Sequence, residues 1–118
     1  MKAALKVLKE SAGNHRKIAI LGDMLELGKW SEKAHYDIGK TLGQLKIDAL
    51  IAIGKYGKFY LAGAIENGLS KNNGKLFSSN TEANEYLKRF LEDGDTILIK
   101  GSRGLKMEEI AAYLKERF

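Results

Sequence analysis

The sequence contains no cysteine and no proline, only two histidines and one tryptophan, and no long hydrophobic run. Without cysteine, the chain cannot form disulfide bonds, thiolate zinc sites or thiol nucleophiles. His15 and His35 lie far apart and lack the spacing of a metal-binding motif, so we expect no metal site from this chain alone. No apolar run approaches the ~18 residues of a membrane span, and the lysine-rich N-terminus does not resemble a secretory signal. We therefore expect a cytoplasmic protein without membrane contact.

The length and the charge are those of one ordinary globular domain, which we expect to span residues 1–118. Hydrophobic residues make up 44% and charged residues 30% of the chain, which excludes a disordered or fibrous protein. The formal net charge is +5, and the basic excess lies in the first half. This bias suits an anionic ligand such as a nucleotide, and it equally suits plain solubility. Because no arginine-rich stripe with interleaved aromatic residues is present, a nucleic-acid partner is not expected.

Short apolar runs alternate with stretches of helical periodicity along the chain. The runs predict buried strands at residues 17–22, 49–54, 75–77 and 96–100. Apolar residues at helical spacing predict helices at residues 1–12, 31–45, 56–67, 79–91 and 107–114. Ser31 is expected to cap the second helix, and Ser79 with Glu82 forms a capping box for the fourth.

This alternation predicts an α/β fold, a Rossmann-like three-layer domain with a mainly parallel sheet and helices on both faces. The usual strand order of such a unit is 3-2-1-4, in which the first and fourth strands are neighbours. Ligands of open α/β sheets bind beyond the carboxyl ends of the strands, where the strand order reverses. We therefore expect the functional site between the loops that follow residues 22 and 100.

The loop after the first strand has the sequence GDMLELG at residues 22–28. Asp23 directly follows a buried strand and a glycine, so it is either a functional carboxylate or a loop acid that accepts hydrogen bonds from nearby backbone N–H groups. Met24, Leu25 and Leu27 are apolar, and we expect them to pack on the sheet edge or against another domain.

Two further side chains near this loop have a structural and a functional interpretation. For Trp30, packing is favoured over a stacking platform for a ligand. For His35, a surface position or a hydrogen-bonded structural role is favoured over contact with a ligand. No nucleophile with a neighbouring base stands out anywhere in the sequence, so no catalytic residue is assigned.

The loop after the fourth strand, KGSRG at residues 100–104, leads into a predicted helix N-terminus, where free N–H groups and the helix dipole favour anions. Gly101 and Gly104 allow the backbone to approach a ligand closely. Ser102 offers a hydroxyl, and the planar guanidinium of Arg103 suits a carboxylate or phosphate. The alternative is a turn with a helix cap, in which Ser102 satisfies the backbone and Arg103 is solvated. From the residues alone, the sequence indicates an anion- or nucleotide-binding module.

Two motifs, each after a predicted strand, together resemble the C-terminal domain of the Mur ligase family. The first is GDMLELG at residues 22–28, followed by Ser-Glu-x-x-His at residues 31–35, and the second is KGSRG at residues 100–104. The resemblance covers essentially the whole chain. It implies the third domain of a three-domain ligase whose N-terminal and central ATPase domains lie outside this sequence. The abrupt start inside a predicted helix also indicates a piece of a longer protein.

The resemblance implies an ATP-dependent ligase that adds D-alanyl-D-alanine to UDP-N-acetylmuramoyl-tripeptide through an acyl phosphate, in peptidoglycan synthesis. ATP and Mg²⁺ would be held by the central domain, the partner of this chain, so residues 1–118 alone are expected to bind neither and to be inactive. The implied substrate-binding residues are Lys100, Gly101, Ser102 and Arg103. The residues implied to meet the nucleotide and the central domain are Gly22, Asp23 and Met24. We expect a monomer. The rival hypothesis is a non-catalytic regulatory module that binds a nucleotide or phosphate.

Overall fold

The computed structural model describes residues 16–24, 29–92 and 95–100. Their strands and helices are β1 (Lys17–Gly22), α1 (Ser31–Gln44), β2 (Ala49–Ile53), α2 (Gly57–Glu66), β3 (Gly74–Phe77), α3 (Asn80–Phe90) and β4 (Thr96–Lys100). The predicted helices at residues 1–12 and 107–114 and the loop at residues 101–104 lie outside the described residues. Every predicted strand, and each predicted helix within the described residues, is present with ends that differ by at most a few residues.

The four strands form one sheet in the order β3-β2-β1-β4, and all three pairings are parallel. Both the α/β fold and the predicted strand order 3-2-1-4 are confirmed. β1 lies between two strands, with Ile20 in register with Ile51 of β2 and Ile99 of β4. The unbroken apolar sequences of β1 and β2 suit these positions, because strands covered on both faces have no solvent-facing side.

The two faces of the central strands pack against different helices. Side chains on one face join α1 and α2 in a core that contains Ala19, Leu21, Leu50, Ala52, Ile38, Leu42 and Tyr60. Side chains on the other face join α3 in a second core that contains Ile18, Ile20, Ile51, Ile53, Ala83 and Leu87. Alternate residues of a strand point to opposite faces, so each apolar run supplies both cores and helices cover both sides.

Helices α1 and α2 approach each other so closely that glycine is required between them. A Cβ atom on Gly39 would lie 1.9 Å from the carbonyl oxygen of Tyr60. A Cβ atom on Gly63 would lie 2.1 Å from the carbonyl oxygen of Tyr36. The two helices therefore touch backbone to backbone at these positions.

The predicted cap of α3 is confirmed, and that of α1 is wrong. The Ser79 hydroxyl accepts a hydrogen bond from the Glu82 N–H at 3.2 Å, at the start of α3. In α1 the N-cap position is Trp30, which makes no side-chain cap bond, and Ser31 is already the first helical residue. A residue with helical backbone angles cannot place its side chain as an N-cap does, so Ser31 is buried in the first turn instead.

At the end of the sheet where β1 and β4 begin, one arginine joins three parts of the chain. Arg16 donates to both carboxylate oxygens of Asp95, at 2.9 and 2.7 Å, and also to the carbonyl oxygen of Phe90 at 2.8 Å. The guanidinium lies 4.6 Å from the centre of the Phe90 ring. Hydrogen bonding to Asp95 raises the pKa of Arg16. These contacts tie the residue before β1 to the end of α3 and the start of β4.

We expect Asp95→Asn to lower the free energy of unfolding by about 2 kcal/mol, measured by urea denaturation. The Asp95 side chain is only 4% exposed and that of Arg16 33%, so the neutral amide would remove a two-point ion pair from a partly buried site. Glu85→Gln is the control, because Glu85 pairs with Lys88 across an exposed helix face and should matter by less than about 0.5 kcal/mol. Equal losses in the two variants would contradict a special role for Asp95.

Candidate functional site

The carboxyl ends of β2, β1 and β4 lie side by side at one edge of the sheet. Leu21 is in register with Lys100 of β4, and Gly22 with Ile53 of β2. Of the predicted site residues, the structure places Gly22, Asp23, Met24 and Lys100 at this edge. The other three, Gly101, Ser102 and Arg103, lie outside the described residues. Open α/β sheets bind ligands at this edge, and a ligand site here stays a prediction.

Gly22, the last residue of β1, is held by a tyrosine of α2. The Tyr60 hydroxyl donates to the Gly22 carbonyl oxygen at 2.9 Å, and the Tyr60 side chain is completely buried. A buried phenol needs a hydrogen-bond partner, and a strand's last carbonyl supplies one without a competing water. The end of β1 is thus fixed to a helix 38 residues later in the chain.

Asp23 is buried and binds backbone rather than solvent. Its carboxylate oxygens accept hydrogen bonds from the N–H groups of Lys55 at 2.9 Å and Tyr56 at 2.8 Å. Successive N–H groups of a turn form a concavity that binds anions, and here the anion is part of the same protein. The interpretation of Asp23 as a loop acid is therefore confirmed. Contact of this residue with a nucleotide or another domain stays a prediction.

A glycine makes room for the Asp23 carboxylate. Gly54 has a φ of +111°, and a Cβ atom there would lie 2.7 Å from an Asp23 carboxylate oxygen. Any side chain at this position would be strained in its backbone and would also collide with the acid. Because Gly54 has no side chain, the Asp23 carboxylate can reach the turn after β2 and link the ends of β1 and β2.

Met24 is held by His35 of α1. The Met24 N–H donates to Nε2 of His35 at 3.0 Å, and Nδ1 of the same ring contacts the Ser31 carbonyl oxygen. Because Nε2 accepts a hydrogen bond, the proton must be on Nδ1, which donates to Ser31. His35 is fully buried. It is thus a hydrogen-bonded structural histidine, one of the two favoured interpretations, and it does not lie at the surface.

The rings of Tyr56 and Tyr60 pack around the imidazole. Their centres lie 4.8 and 4.7 Å from the centre of the His35 ring. Met24 itself packs against the core that β1 and β2 form with α1 and α2, whereas the prediction was the sheet edge or another domain, and Leu25 and Leu27 lie outside the described residues. Residues 22–24 are thus each held by different hydrogen-bond partners: Gly22 by the Tyr60 hydroxyl, Asp23 by two backbone N–H groups of the turn, and Met24 by the His35 ring.

Several exposed side chains at this edge are basic or aromatic, and the acidic Glu32 lies beside them in the first turn of α1. Trp30 is 62% exposed, so the expectation that it packs is wrong, and Nζ of Lys29 lies 5.2 Å from the centre of its ring. Lys55, Lys58 and Lys100 are also exposed. A surface with this charge favours an anionic ligand or an acidic partner.

No sequence motif points to the residues that organise this edge. Tyr60 and the turn at residues 54–56 were not singled out, and His35 was not linked to Met24. A signal for His35 was available, since residues 35, 38 and 42 follow the helical spacing of a buried face and the last two are Ile and Leu. A polar residue on such a face indicates a buried hydrogen bond.

The described part of the chain contains no group of three or more His, Asp or Glu side chains that could hold a metal ion. Among the same residues, no helix is long and apolar enough to cross a membrane.

Comparison with known proteins gives one consistent family. Residues 1–103 match the family model described as "Mur ligase, glutamate ligase domain". A UDP-N-acetylmuramoyl-tripeptide--D-alanyl-D-alanine ligase of Bacillus subtilis is 36% identical over 116 residues, covering 98% of this chain and 25% of that protein. The ligase of the same name from Escherichia coli is 34% identical over 118 residues, covering 98% of this chain and 24% of its own length. The chain thus spans about a quarter of the length of the relatives it matches.

Solved structures agree with the sequence comparison. A crystal structure of MurF from Acinetobacter baumannii superposes with a TM-score of 0.82 at 32% identity, covering 98% of this chain and 25% of that one. A second crystal structure of the same protein gives a TM-score of 0.81. The fold is therefore shared with these solved structures.

Proposed function

The chain belongs to the Mur ligase family, whose glutamate ligase domain it matches over residues 1–103, and from this premise we propose that it is the third domain of the ligase that joins D-alanyl-D-alanine to UDP-N-acetylmuramoyl-tripeptide. The observation that carries the proposal is the 36% identity to the Bacillus subtilis ligase of that name over 98% of this chain. The enzyme would be cytoplasmic and serve peptidoglycan synthesis, with this chain acting as part of a monomer.

In this proposal the chain presents two loops to a site completed by the central domain. Residues 22–24 would meet the nucleotide and the central domain, and residues 100–103 would meet the dipeptide. The exposed lysines at residues 55, 58 and 100 support the proposal, because a basic edge attracts nucleotide and carboxylate groups. The hydrogen bonds that hold residues 22–24 support it too, because a site works best when its backbone is fixed before the ligand arrives.

The described residues do not by themselves fit ATP or Mg²⁺. The turn at residues 54–56, which would suit a phosphate, is already filled by the Asp23 carboxylate. Within the described ranges, no cluster of carboxylates is present for Mg²⁺. We therefore propose that the central domain holds both groups and that this chain contacts the nucleotide from one side.

The proposal is tested by building this chain into the Bacillus subtilis ligase in place of the quarter that it matches. The chimera should release phosphate in a reaction that depends on D-alanyl-D-alanine, whereas the 118-residue chain alone should give only background release. A second chimera in the Escherichia coli ligase controls for a poor fit between domains. If both chimeras fold and neither forms product, the rival hypothesis of a regulatory nucleotide- or phosphate-binding module replaces the proposal.

Within the active chimera, Arg103→Ala should lower kcat/KM for the dipeptide by at least about tenfold, or 1.4 kcal/mol. We propose that the guanidinium holds the dipeptide carboxylate at two points, so Arg103→Lys should recover only part of the loss. The melting temperature should barely change. If Arg103 instead only stabilises its loop, Arg103→Ala will lower the melting temperature and leave the dipeptide kinetics near wild type.

A further inference from the structure

One imidazole ring connects the two sides of the segment between β1 and α1. The Met24 N–H, which follows β1, donates to Nε2 of His35 at 3.0 Å. The Ser31 carbonyl, which begins α1, contacts Nδ1 of the same ring. The single side chain of His35 thus bonds the backbone on both sides of residues 25–28.

The ring of His35 is itself held in place by the residues around it. It is completely buried, so water cannot replace either backbone partner. The Tyr56 and Tyr60 rings pack on it from the α2 side, and Tyr60 is in turn bonded to Gly22. A neutral imidazole with its proton on Nδ1 is one of few side chains that offers a donor and an acceptor at opposite ends of a rigid plane.

Packing alone does not explain a histidine at this position. The helix buries Ile38 and Leu42 on the same face, and an apolar ring at residue 35 would fill the same space between the tyrosines. What an apolar ring could not do is accept the Met24 N–H, which would then be left without a partner. The specific contribution of His35 is therefore the position of the Met24 backbone.

We infer that His35 is a positioning residue of the proposed ligase: it fixes Met24, and through it the backbone that meets the nucleotide. The inference rests on the proposed function for its kinetic part, and on the hydrogen bond alone for its structural part. His35 touches neither substrate nor nucleotide in this inference. It acts only through residues 22–24.

Two substitutions separate the hydrogen bond from the packing. His35→Phe keeps a ring between the tyrosines and removes both hydrogen bonds. His35→Gln keeps an oxygen that can accept the Met24 N–H, and it lacks the ring. Lys40→Gln, on the exposed face of the same helix, is the matched control.

The first measurement is amide hydrogen exchange of Met24 in the 118-residue chain. Protection of this amide should fall at least about tenfold in His35→Phe, stay within about threefold of wild type in His35→Gln, and not change in Lys40→Gln. Unchanged protection in His35→Phe would overturn the structural part of the inference.

The second measurement is steady-state kinetics in the active chimera. His35→Phe should raise KM for ATP about tenfold and leave KM for the dipeptide unchanged, and His35→Gln should restore most of the ATP affinity. A role in stability alone would instead lower the active fraction, and therefore kcat, with both KM values unchanged. That result, or a normal KM for ATP in His35→Phe, would overturn the kinetic part.

The two hypotheses fail in different ways. An inactive wild-type chimera would contradict the proposed function, while amide exchange would still decide whether His35 holds Met24. An active wild-type chimera with normal His35→Phe kinetics would contradict only the positioning role.

Discussion

Gly39→Ala should lower the free energy of unfolding by about 3 kcal/mol or more, in urea denaturation of the 118-residue chain. Helix propensity alone predicts the opposite sign, because alanine is favoured over glycine inside a helix by about 1 kcal/mol. The added methyl group would lie 1.9 Å from the Tyr60 carbonyl oxygen, which is backbone and cannot rotate away. The helices α1 and α2 must therefore separate, and their separation opens the core above Ala19 and Ala52.

Lys40→Ala is the control, since Lys40 is the next residue of the same helix and is exposed. It should change the free energy of unfolding by less than about 0.5 kcal/mol. Gly63→Ala should resemble Gly39→Ala, because its methyl group would lie 2.1 Å from the Tyr36 carbonyl oxygen. The double variant should lose less than the two single losses together, because one separation of the helices relieves both contacts. An unchanged or higher stability for Gly39→Ala would show that the helices do not touch at this glycine.

The strand order, and with it the edge proposed for the site, were predictable from local patterns. Each apolar run is short and closed by glycine or a polar residue, and helical periodicity separates the runs, so a parallel sheet was the simplest arrangement. The face of the sheet on which each β1 side chain lies was also predictable. Alternate residues among 18–21 point to opposite faces and therefore belong to different cores. The edge where ligands bind then follows from the topology.

The contacts that shape the edge were not predictable in the same way. The bond from Tyr60 to Gly22 joins residues 38 positions apart, and the bonds from Lys55 and Tyr56 to Asp23 join residues 32 and 33 positions apart. No local pattern specifies such pairs, because they depend on how far α2 lies from the end of β1.

The predicted cap of α1 was wrong for a physical reason. Serine is a typical N-cap residue, yet α1 already begins at Ser31, and Trp30 occupies the N-cap position. Glycine is unfavourable inside a helix, and no local pattern shows that the glycines of α1 and α2 are needed for the contact between the two backbones. The part of the site in residues 101–103 stays a prediction.

The second large effect is expected at Asp23. Asp23→Ala should lower the free energy of unfolding by about 3 kcal/mol, because it leaves the partly buried N–H groups of Lys55 and Tyr56 without their acceptor, at about 1–3 kcal/mol each. Asp23→Asn should cost roughly half as much, since the amide keeps one accepting oxygen and turns a donor toward the other N–H. Urea denaturation measures both losses. Asp37→Ala is the control, because Asp37 forms an exposed pair with Lys33 and should matter by less than about 0.5 kcal/mol.

The Asp23 variants also separate the two roles proposed for this acid. If Asp23 only joins the ends of β1 and β2, Asp23→Asn in the chimeric ligase should lower the melting temperature and leave KM for ATP within about twofold of wild type. If the carboxylate also contacts the nucleotide or its metal, KM for ATP should rise by at least about tenfold. The kinetics are measured well below the temperature at which the variant unfolds. Gly54→Ala tests the structural role of the carboxylate in a second way. Its methyl group displaces the Asp23 carboxylate without removing the charge, so it should reproduce the loss of stability whichever role is correct. A stable Gly54→Ala variant would show that the carboxylate has room to move, and the bonds to Lys55 and Tyr56 would then not be what holds the end of β1.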